Sequence, residues 1–297
     1  MNRNLNPKLL VLIGVVFVSF GSILTKLSTA PSLIIAFYRI GFTSLILTPW
    51  ILFKNKKELK SISKRTLLIC LLSGIFLAFH FALWLESLKY TSVTSSTVLV
   101  STHPIFIVLG SIFILKEKVS KKEVISIMIA LVGSMIISFG DSSLGNNIIY
   151  GDFLAVAGGL CMAGYMMIGR IARKELSVNA YTFIVYVSCT ITLLILSLCT
   201  STRLYPYPKT DWLIFLALAI VCTLLGHSVF NWALAYVNPT FVSTSILGEP
   251  VFATIWAILI FSEIPTFPQV FGGIVILLGI YLFNKSQKID KPEPLEV

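Results

Sequence analysis

Charge is what this chain has least of. Only 12% of its 297 residues are Asp, Glu, Lys or Arg, about half the share typical of soluble domains. So few cannot coat a water-exposed surface, which excludes a soluble globular protein. Five cysteines (Cys70, Cys161, Cys189, Cys199 and Cys222) stand far apart inside apolar runs, without a CxxC pair. That spacing argues against a disulfide framework or zinc site and for small buried hydrophobes. The chain has no HExxH, no GxSxG, no Gly-rich Walker A loop and no pair of aspartates within an apolar run. Metalloprotease, serine hydrolase and nucleotide-driven pump chemistries lack the motifs that carry them. No cofactor is called for, and no low-complexity tract is present.

What the chain has in abundance is apolar sequence: 56% of residues are hydrophobic and the mean hydropathy is +0.91. A membrane-crossing helix needs about 20 mostly apolar residues. The runs predict ten spans at 9–26, 33–53, 66–87, 92–115, 123–140, 151–169, 179–200, 212–235, 240–261 and 268–284. Lys8 followed by an apolar run resembles a signal peptide, but the run continues through Thr25 without a small-residue cleavage site, so it reads as the first span. The long stretch 212–261 is divided at Asn238-Pro239, because proline disfavours helical continuation and pairs with Asn in turns.

The net charge of +10 is not spread as a nucleic-acid-binding face would be; the cations cluster in short segments between spans. With the N-terminus inside, inner segments hold 18 Lys and Arg residues and outer segments four, while Arg39 lies within a span. That asymmetry predicts cytoplasmic N- and C-termini and an even number of spans. A bacterial plasma membrane is the expected location.

The chain also repeats itself. Residues 80–137 superimpose on 226–283 without a gap at a constant offset of 146, pairing Leu88 with Leu234, Tyr90 with Tyr236, Pro104 with Pro250, Phe106 with Phe252, Ile112 with Ile258, Glu117 with Glu263 and Gly133 with Gly279. Five spans per half make the halves inverted, an arrangement suited to alternating access. The expected fold is an all-α integral membrane protein of ten helices in two inverted five-helix repeats, at 1–140 and 151–284, with a polar hinge at 141–150 and a charged tail at 285–297. Glu117 and Glu263 then belong on opposite sides of the membrane.

Several short motifs add a resemblance. Phe37-Tyr38-Arg39 in the second span, Pro104 through Glu117 to Gly133 in the first repeat, and Gly248-Glu249-Pro250-Val251-Phe252 followed by Glu263, Gly272-Gly273 and Gly279 in the second resemble ten-helix EamA-type carriers of the drug/metabolite transporter superfamily. The resemblance covers roughly 8–284. It departs in the first span, where such carriers often show Trp-Gly and this chain has Phe20-Gly21. It implies a carrier of small metabolites, frequently an exporter, with spans one, three, four, six, eight and nine lining a central cavity.

Ionisable groups inside a bilayer cost at least ~2.5 kcal/mol at mid-helix, so each one is a functional hypothesis. Glu249 and His103 are equivalent under the offset, and each immediately precedes a proline expected to kink its helix and free a carbonyl. Glu249 is read as binding a cationic part of the substrate, a proton, or both in turn, and His103 as a second coupling group. The alternatives are that Glu249 caps freed backbone groups or pairs with another residue, and that His103 is a satisfied core histidine. Arg39 suits a substrate carboxylate, or else a structural ion pair or snorkelling towards the outer interface near Lys26. His80 and Trp84 share a helix face, as do His227 and Asn231, and Trp84 aligns with Phe230, so aromatic walls from both halves are expected around one cavity. Aromatic faces attract organic cations, although Trp at a helix end is also a common interfacial anchor. Tyr165, Trp232 and Trp256 are weaker candidates, and Glu86 is near enough to the outer surface for water to solvate it. Gly158, Gly159, Ala163 and Gly164 permit close helix approach.

These residues predict a secondary transporter for a small polar metabolite, amino-acid or amine-like, whose halves rock about the cavity. Its partners are that substrate, the bilayer and protons; a homodimer is compatible with the sequence. An importer of quaternary amines, a lipid-linked flippase and an intramembrane enzyme remain as alternatives.

Overall fold

The computed structural model describes residues 6–90, 96, 99–114, 116, 119–139, 148–261 and 266–286. Glu117, Glu263, residues 141–147 of the expected hinge, residues 287–297 of the tail and parts of the expected span 92–115 lie outside them. Among the described residues the chain is helical throughout, with no strand. In hydrocarbon this is required, because a backbone group left without a partner finds no water to replace it.

The helices are α1 Pro7–Val18, α2 Phe20–Leu27, α3 Ser32–Lys54, α4 Lys56–Ser61, α5 Lys64–Ser87, α6 His103–Phe113, α7 Lys121–Phe139, α8 Ile148–Ala172 and α9 Val178–Cys199, then α10 Lys209–Ala217, a π-helical segment Leu218–His227, α11 Ser228–Ala233, α12 Pro239–Ile246, α13 Glu249–Phe261 and α14 Phe267–Ser286. Among the described residues seven helical stretches are long and apolar enough to cross a membrane, and His103–Phe113 and Val270–Phe283 are shorter apolar helices. Short polar residues start many of them. The side chains of Asn6, Ser63, Ser177 and Asn238 accept from the backbone N–H of Lys8, Thr66, Ala180 and Phe241, satisfying donors that a helix start leaves open. Asn238-Pro239 opens α12 at the division read from the sequence.

Two expected spans are less regular than their hydropathy. The first is interrupted at Ser19, whose hydroxyl donates to the Val16 carbonyl at 2.7 Å and accepts from Trp256 Nε1 at 2.9 Å. The eighth winds as a π-helix through Leu218–His227, and there the Thr223 hydroxyl reaches back five residues to the Leu218 carbonyl at 3.2 Å. Such bulges often mark functional sites.

Close backbone approach builds the interior. A Cβ on Gly133 would meet the Gly272 carbonyl and the Ile276 N–H at 2.7 Å, and one on Gly279 would meet Ala130 and Ser126 within 2.8 Å. Hence α7 and α14 run antiparallel at van der Waals distance. The two sets of contacts interchange when 146 is added or subtracted. α5 lies antiparallel on α8, where Gly158 faces the backbone of His80 and Trp84, Gly159 the Val100 carbonyl and Gly164 the Phe76 ring. Those glycines act as packing devices. On one side α4 is tied to α9: Glu58 accepts from the Ser177 N–H and hydroxyl, both at 2.7 Å, and from Asn55 at 2.8 Å. Elsewhere Asp211 accepts from the Ser28 hydroxyl and from both the N–H and hydroxyl of Thr29, at 2.6–3.0 Å.

Candidate functional site

The chain breaks twice at equivalent places. α6 begins His103-Pro104 and α13 begins Glu249-Pro250, and each follows a non-helical turn, Ser101–Thr102 and Leu247–Gly248. Proline has no N–H to return to the preceding turn and fits the first turn of a new helix. At each of the expected kinks the α-helical ladder is interrupted by a tighter turn, with His103 and Glu249 as the opening residues of the helices that follow.

Both breaks face one cavity, with free space of ≈ 40 Å³, room for about one or two waters. Arg39, His80, Trp84, His103, His227 and Glu249 all line it. Equivalent positions meet there from the two halves: His103 with Glu249, Val100 with Ile246 and Trp84 with Phe230. The remaining wall comes from Val18 and Gly21 of the first span, Ser101 of the fourth and Met162 of α8. Thus spans one, three, four, six, eight and nine contribute, and α3 adds Arg39.

Arg39 is only 2% exposed, so it does not snorkel to an interface. Its Nε donates to the Thr223 hydroxyl at 2.9 Å and its guanidinium lies 4.6 Å from the centre of the Phe81 ring. The π-helical winding presents Thr223 to it. Nη2 is buried without a partner among the described residues. The Glu249 carboxylate, 9% exposed, makes no hydrogen bond or ion pair among the described residues; it neither caps the broken backbone nor pairs with Arg39. One cavity thus holds a buried cation and a buried carboxylate that do not neutralise each other by contact, a costly arrangement in low dielectric.

The imidazoles and the indole are half used. His80 Nδ1 donates to the Gly158 carbonyl at 3.0 Å, and its ring stacks on Trp84 with centroids 5.9 Å apart. Trp84 is 6% exposed, which rules out an interfacial anchor. His103 Nδ1 donates to the Val100 carbonyl at 3.1 Å. His227 meets the rings of Phe81 and Phe230 edge-on. Among the described residues Trp84 Nε1, His103 Nε2 and His227 Nδ1 are buried without partners, like Arg39 Nη2. An unpartnered buried polar group costs about 1–3 kcal/mol. Four of the residues that line this small space carry such an atom.

Asn231 and Tyr165 are elsewhere. Tyr165 donates its hydroxyl to Asn231 Oδ1 at 2.7 Å, and Asn231 Nδ2 donates to Tyr186 at 3.2 Å, a tyrosine that also meets Ser228 at 3.1 Å. Their polar atoms are consumed in this network, and neither residue lines the cavity. His227, at the end of the π-helical segment, lines the cavity, whereas Asn231, one turn further on in α11, does not. Trp256 braces Ser19 and stacks on Phe20 at 4.2 Å, Trp232 packs on Tyr236, and Glu86 forms a surface ion pair with Lys89 at 2.7 Å. Thr223 and Met162 were not legible as site residues, since neither is ionisable or motif-borne. Among the described residues no cluster of three or more His, Cys, Asp or Glu is placed to hold a metal ion.

Several known proteins similar to this chain are transporters. The pseudopaline exporter of Pseudomonas aeruginosa is 22% identical over 265 residues, covering 88% of this chain and 89% of its own length. The S-adenosylmethionine uptake transporter of Rickettsia prowazekii is 23% identical, covering 86% and 83%. An uncharacterized transporter of Archaeoglobus fulgidus is 26% identical, covering 85% and 88%. A solved crystal structure superposes with a TM-score of 0.76 at 16% identity, covering 93% of this chain and 95% of that one, which shows the fold. Residues 7–139 and again 149–285 match one family of multi-pass membrane transporters rather than enzymes; this chain belongs to the EamA-like transporter family.

Proposed function

We propose that this transporter carries a small zwitterionic metabolite, amino-acid or amine-like, out of the cell across the bacterial plasma membrane by alternating access. The observation that carries the reading is the pair of buried, mutually unpaired charges, Arg39 and Glu249, in one cavity. A substrate carboxylate met by the guanidinium and an ammonium met by Glu249 would satisfy both charges at once, with Trp84 and His80 as an aromatic wall and His103 and His227 as further polar contacts. Asn231 and Tyr165 then support the site from behind.

Ten crossings in two inverted halves, at 1–140 and 151–284, fit this reading. Both halves match one family description. The Gly133 and Gly279 contacts are exchanged by the offset across antiparallel helices, and Ser44 meets Thr190, 146 residues away, at 3.4 Å, as positions on a pseudo-twofold axis would. The charge asymmetry favours cytoplasmic termini. The relatives named for export and for uptake differ in direction; export follows the more frequent habit implied by the family resemblance. Glu249 is the proposed proton-coupling group and His103 its partner, since a coupling ligand must interact differently with the two facing states.

The test is thermal stabilisation of purified protein by amino acids, polyamines, quaternary amines, nucleosides and sugars from about pH 5.5 to 8, followed by counterflow in vesicles. A ligand at 100 times its Kd stabilises the folded state by about 2.7 kcal/mol. The expected result is stabilisation by an amino-acid-like compound that disappears in Glu249→Gln. A ligand lacking any amine, or equal stabilisation of the variant, overturns the reading.

A further inference from the structure

The second cluster of cations does not behave like the others. Lys54, Lys56, Lys57, Lys60, Lys64 and Arg65 fall within 12 residues around α4, and every one is exposed. Lys54 lies over the Trp50 ring at 3.8 Å. The side chains of the remaining five make no ion pair or hydrogen bond among the described residues. The cations at the end of α8 are used differently: Arg170 and Arg173 turn inward and donate to the carbonyls of Leu234 and Asn231.

Glu58, the acid within the cluster, offers the cations nothing. Its carboxylate points to the other half and is taken up by Ser177 and Asn55, while Leu59 and Ile62 pack on the core. The apolar side of α4 is thereby anchored and its lysines are held outward. Lys64 and Arg65 open α5, where the helix dipole favours anions over cations. An anion above that first turn would offset the cost. The flanks show where it comes from. Phe53 is 87% exposed, and Trp50, Leu52 and Leu68 at least half so, so apolar surface brackets the cations on both sides. Charged heads beside lipid-facing apolar groups match the two parts of a phospholipid.

We infer that α4 and the helix ends beside it form a docking site for anionic phospholipid headgroups, with Lys56, Lys57 and Lys60 as its principal contacts. This goes beyond the transport reading and shares with it only the membrane orientation. Juxtamembrane cations gain about 1 kcal/mol each from an anionic surface, so losing three weakens retention on the order of 100-fold.

The experiment measures lipid retained by the purified full-length protein, by native mass spectrometry, from phosphatidylcholine nanodiscs containing a minority of phosphatidylglycerol. Wild type is expected to retain phosphatidylglycerol selectively and to gain thermal stability from it but not from phosphatidylcholine. Lys56→Gln with Lys57→Gln and Lys60→Gln should lose that retention; Lys54, Lys64 and Arg65 remain to hold the orientation. The three Lys→Arg substitutions should keep it, and so should Lys121→Gln with Lys122→Gln on α7. If the triple Gln protein does not fold, the wild-type stability comparison decides alone. Equal retention of both lipids by wild type, undiminished retention by the triple Gln variant, equal loss in the α7 control, or equal stabilisation by inorganic phosphate overturns the proposal.

Discussion

The break before α6 and the break before α13 use one backbone device for two chemistries. Each places an ionisable residue at the first position of a half-helix, a proline second and a two-residue turn before it. Val100 and Ile246 line the cavity from the chain leading into each. The difference lies in what the ionisable group does. His103 spends one ring nitrogen on the Val100 carbonyl a turn away, whereas the Glu249 carboxylate bonds to nothing among the described residues. The same contrast recurs around the cavity. His80 has Gly226 at its equivalent position, and His227 has Phe81. Equivalent positions of the repeat line the cavity, and its ionisable groups stand where the two copies differ.

The largest effect should come from making the breaks chemically alike. Glu249→Gln removes the carboxylate; a charged hydrogen bond is worth about 1.5–3 kcal/mol, so substrate affinity should fall between about 10-fold and 150-fold. His103→Gln should cost less than about 10-fold, since half of that ring is already committed. Equilibrium binding on both variants orders the two breaks, and equal losses would mean that they share one role.

Arg39→Lys comes next. It keeps the charge but loses the planar fork and the bond to Thr223, so a carboxylate-bearing ligand should weaken about 10-fold while the matching amine without a carboxylate binds as before. A parallel loss for both ligands would place Arg39 in a structural role. Gly133→Leu and Gly279→Leu test the symmetric part of the comparison. Each drives a side chain into the backbone of the facing helix, costing at least ~1–3 kcal/mol. Matching losses in thermal stability are expected, and a large loss in only one would break the twofold reading.

The smallest effect concerns Glu58. Burial alone would push its carboxyl up, but hydrogen bonds from the Ser177 hydroxyl and N–H and from Asn55 outweigh it and hold the group below its ordinary value. The unfolded chain takes up the proton at the higher, ordinary value. The stabilisation is therefore complete above that value and is lost as pH falls through the lower folded one. The site is half-exposed, so less than about 1 kcal/mol is at stake. Glu58→Gln should flatten the acid limb of a melting-temperature profile, which an unchanged limb would contradict.

Ten apolar runs, the offset of 146 and the proline at each break could all be read from residue order, because hydropathy and proline act locally. Glu249, His103 and Arg39 stood out for the same reason: an ionisable group inside a long apolar run is anomalous wherever the run finally packs. Trp84 and Phe230 were found only by aligning the repeat. The π-helical segment and the break at Ser19 left no such mark, since both hang on partners far along the chain, Arg39 on Thr223 and Trp256 on Ser19. Asn231 and Tyr165 show the opposite case, polar residues in apolar runs whose atoms are spent on each other. The sequence by itself determined that this chain is a membrane carrier of repeated halves, because bilayer energetics act on short stretches of residues. Only the tertiary structure decided which polar groups are paired and which are left facing the cavity, because pairing depends on distances between helices that no local pattern encodes.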